Sequence, residues 1–345
     1  MTTTHWLMPS ESAPQDRIWM SFPREGATLG STPAEKDAGY AAWASVANTI
    51  ASRQPLSMIV DPSERTRARA MLDGSIDIYD RVIDDFWLRD SGPTFVHAAD
   101  GSLAAVDWIF NGWGGNDWTS ATNDRDLARF IAGIVGAPVI PSLLVNEGGG
   151  IHVDGAGTVL ITETVQLDPG RNPHADKQRV EEELCRTLGT TQAIWLPRGL
   201  TRDYETYGTR GHVDIVATIP SDGVILLHEQ RDSSHPDHAV MRDIRALLQL
   251  ATDAQGRSFD IIDVPAPDCI SDGHGPVDYS YINHLVINGA VIACGFGEEI
   301  ADARARDILA AAYPGREVVT LDARELFARG GGIHCITQQQ PSARP

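Results

Sequence analysis

The fold class predicted for this chain is α/β, a ring of about five ββα-type units. Helix-like stretches begin near Ser63, Asn123, Ala175, Pro236 and Glu299. They therefore recur about every sixty residues, the mark of repeated supersecondary units. Between them one plan returns, a strand, a tight polar turn and a second strand. The two ends complement each other: Gly331–Thr337 reads as the opening strand of a further unit, and Gln15–Phe22 is the apolar segment that can complete it.

The elements follow in order. Thr32 and Glu35 have capping-box spacing, with Pro33 at the first helical position. Tyr40, Ala41, Trp43, Val46, Ala47 and Ile50 then follow a helical period. Hairpins are expected over Ser91–Val106, Ile151–Thr162, Gly211–Leu227 and Tyr281–Ala293, the last turning on Asn288-Gly289. A single unit has too little apolar face to stand alone, so residues 1–345 read as one catalytic domain closed by its terminal segments. The alternative is an ordinary α/β protein with unrelated hairpins.

With 345 residues, 42% of them hydrophobic, and a formal charge of −19, the chain has ample core and no basic cluster. That disfavours nucleic acid and anionic membrane as partners, which both require Lys/Arg neutralisation. A cationic partner is compatible with it. Cys185, Cys269, Cys294 and Cys335 show no metal or disulfide spacing. The start, Met1 to Trp6, lacks the basic and apolar regions of a leader, and no apolar run reaches the about 18 residues of a membrane span. The expected compartment is the cytoplasm. Oligomeric state is open, a homodimer being one arrangement.

The chemistry-bearing residues recur at one place in each unit, the start of the first strand. They are Trp87-Leu-Arg-Asp90, Glu147 with His152 and Asp154, His212-Val-Asp214, and His334-Cys335. Around a pseudo-symmetry axis these positions converge. Cys335, after Gly330-Gly-Gly332, is the candidate nucleophile. On a strand, His212 and Asp214 would share a face, one for proton transfer and one for charge. Several carboxylates around a thiol would repel an anion and raise the thiol pKa. They suit a cation, above all a planar guanidinium, which pairs bidentately with carboxylates.

The segments Asp84–Pro93, Glu147–Gly155, Leu196–Gly199, Gly211–Asp214 and Gly330–Pro341 carry a resemblance to the agmatine deiminase family, among the guanidino-group-modifying and Porphyromonas-type peptidyl-arginine deiminases. Met8-Pro-Ser-Glu11, Arg17-Ile-Trp-Met20 and Arg171-Asn-Pro173 are similar too. The resemblance spans nearly the whole chain. It implies a pentein fold, a five-bladed pseudo-symmetric α/β propeller. It also implies deimination of a small guanidino substrate, agmatine giving N-carbamoylputrescine and ammonia on the route to putrescine. In that scheme Cys335 attacks the guanidinium carbon and a covalent thiouronium is hydrolysed. His212 acts as acid and then base, Asp90 and Asp214 hold the guanidinium, Glu147 adds charge, and Trp87 flanks the planar group. No metal and no organic cofactor is implied.

One departure concerns the substrate tail. The loop before His212 reads Glu205-Thr-Tyr-Gly-Thr-Arg210-Gly, and Arg210 stands near where a distal amine would sit. Facing the cleft, it would disfavour agmatine and favour a guanidino acid or amide. Turned to Glu205 or solvent, it leaves agmatine in place. Other classes are a metal-dependent hydrolase using the two His-x-Asp pairs, and an inactive binding module on the same scaffold. Cys185 and Cys294 read as core, and His228, His235, His238 and His274 as solvated loop residues. Trp113 reads as either cleft rim or plain turn.

Overall fold

Thr32 and Glu35 do form a reciprocal cap. The Glu35 N–H donates to the Thr32 hydroxyl, the Glu35 carboxylate accepts from the Thr32 N–H, and the helix Pro33–Ala51 follows. Its Tyr40, Trp43, Val46, Ala47 and Ile50 are buried, whereas Ala41, read on the same period, is exposed. The computed structural model describes residues 5–116 and 118–343; Met1–Thr4, part of the segment read for a leader, lie outside them. No helix among the described residues is long and apolar enough to cross a membrane.

Four sheets repeat one topology, an antiparallel hairpin whose second strand pairs in parallel with a third strand beyond a helix. Ala217–Ser221 and Val224–Glu229 form one hairpin, and the helix Pro236–Leu248 leads to the parallel strand Asp260–Pro265. Leu285–Ile287, Ala290–Gly295 and Glu317–Asp322 repeat this through the helix Glu299–Ala312. Ile151–Val153, Thr158–Thr162 and Gln192–Leu196 repeat it through Lys177–Leu188. Thr94–Ala98, Leu103–Ile109 and Val139–Val145 repeat it through Leu127–Val135, with Trp6–Leu7 added at the edge.

The fifth sheet joins the chain ends. Thr337–Pro341 pairs antiparallel with Gln15–Ser21, which pairs in parallel with Leu56–Val60, and that strand with Asp77–Asp80. Residues 333–336 form a turn, so the closing strand begins only at Thr337, later than its sequence indicates. The expected donor, Gln15–Ser21, is the partner used.

The core surrounds the axis and fills the spaces between sheets and helices. Trp19, Trp43, Tyr40, Tyr281, Phe22 and Phe86 are its largest fully buried aromatic side chains. Cys294 belongs to it, whereas Cys185 is exposed. The helix buries Val180, Leu184 and Leu188, and one residue beyond Leu184 turns the side chain about 100° away.

Closure also depends on a buried side-chain bond. The Trp19 indole N–H donates to the Gln340 side-chain oxygen at 2.9 Å across the closing pair. Gln340→Ala orphans that donor and should cost about 1–3 kcal/mol. Thermal melts and urea titrations measure it; an unchanged midpoint would show that closure does not need the bond.

Candidate active site

Each sheet's first strand is preceded by a turn that carries polar residues to the axis. Leu88–Ser91 is a helical turn holding Asp90, Gly148–Gly150 is a tight turn following Glu147, and Val213–Ile215 is another, starting just after His212 and holding Asp214. The expectation that His212 and Asp214 share a strand face is therefore wrong, since the strand begins only at Ala217. Convergence survives because the turn closes on itself: the buried Asp203 carboxylate accepts from the N–H groups of Thr209, Gly211 and His212.

The structure gathers Cys335, His212, Asp90, Asp214 and Glu147, all buried. Asp214 Oδ2 lies 3.4 Å from Cys335 Sγ, and the Asn283 amide donates to the sulfur at 3.1 Å. His212 Nε2 is 3.3 Å from Glu147 Oε2, and its Nδ1 is 3.8 Å from Asp90 Oδ1. Close approach here requires glycine. A Cβ at Gly149 would fall 2.5 Å from His212 Nδ1, while the Gly149 N–H donates to Asp90 at 2.9 Å. A Cβ at Gly331 would fall 2.8 Å from Cys335 Sγ and 3.0 Å from the Trp87 ring, so Trp87 and the sulfur meet over that glycine.

Electrostatics separates the roles available to these groups. Burial raises the Asp90 pKa to about 6, helped by Glu147 and Asp214 and opposed by His212 and the Trp113 N–H. Burial also works against a charged His212, but Asp90, Glu147 and Asp214 outweigh it and lift its pKa to about 9. At neutral pH the ring is thus an imidazolium able to give up a proton. Burial opposes ionisation of Glu147 too, yet Arg171 and His212 hold its pKa below the ordinary carboxylate value. Arg171 Nε donates to both Glu147 oxygens at 3.0 Å. Burial, Asp214 and Asp90 push the Cys335 thiol well up, so the resting sulfur is protonated.

Arg210 is partly turned to solvent, one of the destinations its sequence offers, but its ion-pair partner is Asp168. Its guanidinium donates to both Asp168 oxygens at 2.9 and 3.0 Å, and Asp168 also accepts from Arg171 at 2.8 Å. Glu205 is not its partner. Arg210 has a positive φ of 69°, which helps turn the backbone just before Gly211 and His212. The chain Glu147–Arg171–Asp168–Arg210 thereby ties this loop to the site.

Several participants escaped sequence reasoning. Asn283 opens the fourth unit, where the repeat itself pointed, but a lone amide between Ile282 and His284 carries little signal. Trp113 is no plain turn: it is buried and donates to Asp90 Oδ2 at 2.8 Å. Asp203 and Asp168 act by fixing the loop and the ion pairs around the site. The two His-x-Asp pairs do not form one donor set. His152 Nε2 accepts from the Ile219 N–H and bonds Thr218, while Asp154 accepts from Ala156 and Thr158 N–H groups in its own turn. His228 and His235 are buried rather than solvated; burial pulls the His228 pKa to about 3, and His235 caps the helix Pro236–Leu248.

Five sheets of three or four strands around a buried axis of polar residues, with a two-stranded ribbon, Ser271–Asp272 and Gly275–Pro276, outside the repeat, make this a pentein, the architecture of the guanidino-group-modifying enzymes, and its class is that of hydrolases acting on C–N bonds. The profile of the Porphyromonas-type peptidyl-arginine deiminases matches residues 7–341. A relative from Streptomyces coelicolor is 51% identical over 336 residues, covering 97% of this chain and 98% of its own. The agmatine deiminase of Pseudomonas fluorescens is 38% identical over 374 residues, covering 99% of each chain. A solved structure of the agmatine deiminase of Enterococcus faecalis, 31% identical, superposes with a TM-score of 0.89 over 99% of this chain and 97% of that one. The chain belongs to the agmatine deiminase family.

Trp113 offers a test of the electrostatics. Its N–H is among the contacts that lower the Asp90 pKa, so Trp113→Phe should raise that pKa further above about 6. The carboxylate would then ionise later as pH rises. The acid limb of kcat/KM should move up by about one pH unit, the size of a lost hydrogen bond to a charged group. A pH–rate profile with an unmoved acid limb would remove Asp90 from the ionisations that govern turnover.

Proposed function

We propose that this chain hydrolyses the guanidinium of agmatine to N-carbamoylputrescine and ammonia through a covalent intermediate on Cys335. The observation that carries this reading is the pair of carboxylates against the thiol. Asp214 lies 3.4 Å from Sγ, and Asp214 and Asp90 both push the thiol pKa up. An entering guanidinium reverses that field, so binding of the cation favours the thiolate at the moment it is needed.

The steps balance without a cofactor. The field of the bound cation drives the thiol proton to solvent, from which the sulfur recovers one at the end of the cycle; the thiolate attacks the guanidinium carbon, giving a tetrahedral adduct. His212, an imidazolium with its pKa near 9, delivers a proton to the departing nitrogen, and ammonia leaves. The thiouronium remains on sulfur, and the neutral imidazole takes a proton from water as it attacks the same carbon. Expulsion of the thiolate yields the ureido product. Glu147, fixed by Arg171, stabilises the charged ring throughout. Asp90 and Asp214 hold the planar group beside Trp87. Agmatine is favoured over a guanidino acid because Arg210, the cation nearest the varied loop, is already paired with Asp168.

Ammonia release and ureido product from a panel of guanidino compounds test the reading. Cys335→Ala should remove activity by at least about a thousandfold, as expected for loss of a nucleophile, with folding retained. Acid quench of the wild type during turnover should leave the substrate-derived adduct on the Cys335 peptide in mass spectra. Turnover by Cys335→Ala would exclude the covalent route. Preference for a guanidino acid or peptidyl-arginine would replace agmatine.

The tail assignment has its own check. If Arg210 is spent on Asp168, Arg210→Ala should change the ratio of kcat/KM for agmatine over 4-guanidinobutyrate by less than about threefold, under 1 kcal/mol. A tenfold or larger change would place its charge against the substrate tail.

A further inference from the structure

His334 sits next to the nucleophile, yet its ring is not used in the steps above. Its Nδ1 lies 2.8 Å from Asp214 Oδ2 and its Nε2 lies 2.8 Å from Glu11 Oε1. A neutral imidazole has one N–H and would set a lone pair against one of these carboxylates. Two such contacts therefore require both nitrogens to donate, and the ring is held as an imidazolium. Its surroundings agree. Burial and Arg89 oppose the charge, but Glu11 and Asp214 overcome them and raise the His334 pKa. Arg89 Nη1 is 3.6 Å and His152 Nδ1 4.0 Å from Glu11 Oε1, and Arg89 Nε donates to the His334 carbonyl at 3.3 Å.

The effect falls on Asp214. With Oδ2 engaged by His334, Asp214 Oδ1 is a buried oxygen that accepts no hydrogen bond among the described residues. A buried acceptor without a donor is costly and marks a group kept for a ligand N–H. Glu11 touches neither the sulfur nor the other carboxylates of the site. It comes from the turn before the closing strand Gln15–Ser21, in the Met8-Pro-Ser-Glu11 segment to which the reaction steps give no part.

We propose that Glu11 and His334 form a positioning relay that clamps Asp214 Oδ2 and so aims Oδ1 at an N–H of the bound guanidinium. This rests on the guanidinium reading above. Neither relay member is a catalytic residue; each acts through Asp214.

The test compares alkylation of Cys335 by 2-chloroacetamidine and by 2-chloroacetamide in the full-length protein. The amidinium presents the same planar N–H edge as a guanidinium, and the amide is its neutral counterpart with the same leaving group. Wild type should strongly favour the amidine. Glu11→Gln should reduce that rate ratio by about tenfold, as for loss of one charge-assisted contact. His334→Asn, which retains an N–H for Asp214 but severs Glu11, should reduce it as well. Adding Glu11→Gln to His334→Asn should then change nothing further, since the two act in series. Glu11→Asp should recover part of the ratio. A purely structural role would slow or speed both reagents together and leave the ratio intact. If Glu11→Gln is not recovered folded, the His334→Asn ratio carries the same comparison. A wild type without amidine preference overturns the guanidinium reading and the relay with it. A preference retained in Glu11→Gln, or additive effects in the double variant, overturns the relay alone.

Discussion

The structure depends on the pairing of its last strand with its first. Thr337–Pro341 lies antiparallel to Gln15–Ser21, joining residues more than three hundred positions apart in the chain. The entropic cost of so large a loop grows only logarithmically with length, but such non-local pairing comes late and slowly in folding. Its reward is positional. Cys335 stands just before one strand of the pair and Glu11 just before the other. The nucleophile loop is also tied in by the Arg89 N–H, which donates to the Cys335 carbonyl at 3.2 Å, and by Arg329, which donates to the carbonyls of Leu29 and Glu35. Catalytic geometry and ring closure are one requirement in this fold.

Closure concentrates buried charge. Asp90, Glu147, Asp214 and Glu11 are offset by Arg171, Arg89, His212 and His334 in overlapping pairs. A buried carboxylate without a partner would protonate, and a buried pair gains little over apolar packing. Such a network is therefore better explained by chemistry than by stability. The compensation is uneven. Glu147 has a buried guanidinium whose Nε–H is shared between its two oxygens, whereas Asp90 has an indole, a backbone N–H and a distant imidazole, and its pKa rises to about 6. The resting site disfavours the thiolate, and a planar cation is what relieves it. Interactions realised only once the substrate has bound are the ones that can serve the chemical step.

The misreadings share a cause. The exposure of His228, His235 and Cys185 is decided by neighbours in space, which their neighbours in sequence do not reveal. His228 lies in a buried strand, its N–H bonded to the Val216 carbonyl in the turn that leads into the partner strand of the same sheet. The turns bearing Asp90 and Asp214 look extended on paper because short helical turns have no period to display. Arg210 has a partner, Asp168, that arrives through the Arg171 ion-pair chain, and no local pattern announces it.

By itself the sequence determined the repeat, the cap at Thr32, the hairpins, the donor strand for closure, and the residue types brought to the axis. These follow from periodicity, turn chemistry and local hydrogen bonding, which act over a few residues. Only the tertiary structure decided which oxygen of Asp214 stays unpartnered, that Trp113 and Asn283 serve Asp90 and Cys335, and that His334 stands between two carboxylates. Those outcomes depend on distances of about 3 Å between groups from different units, and on burial that sets their protonation. Neither quantity exists until the ring has closed.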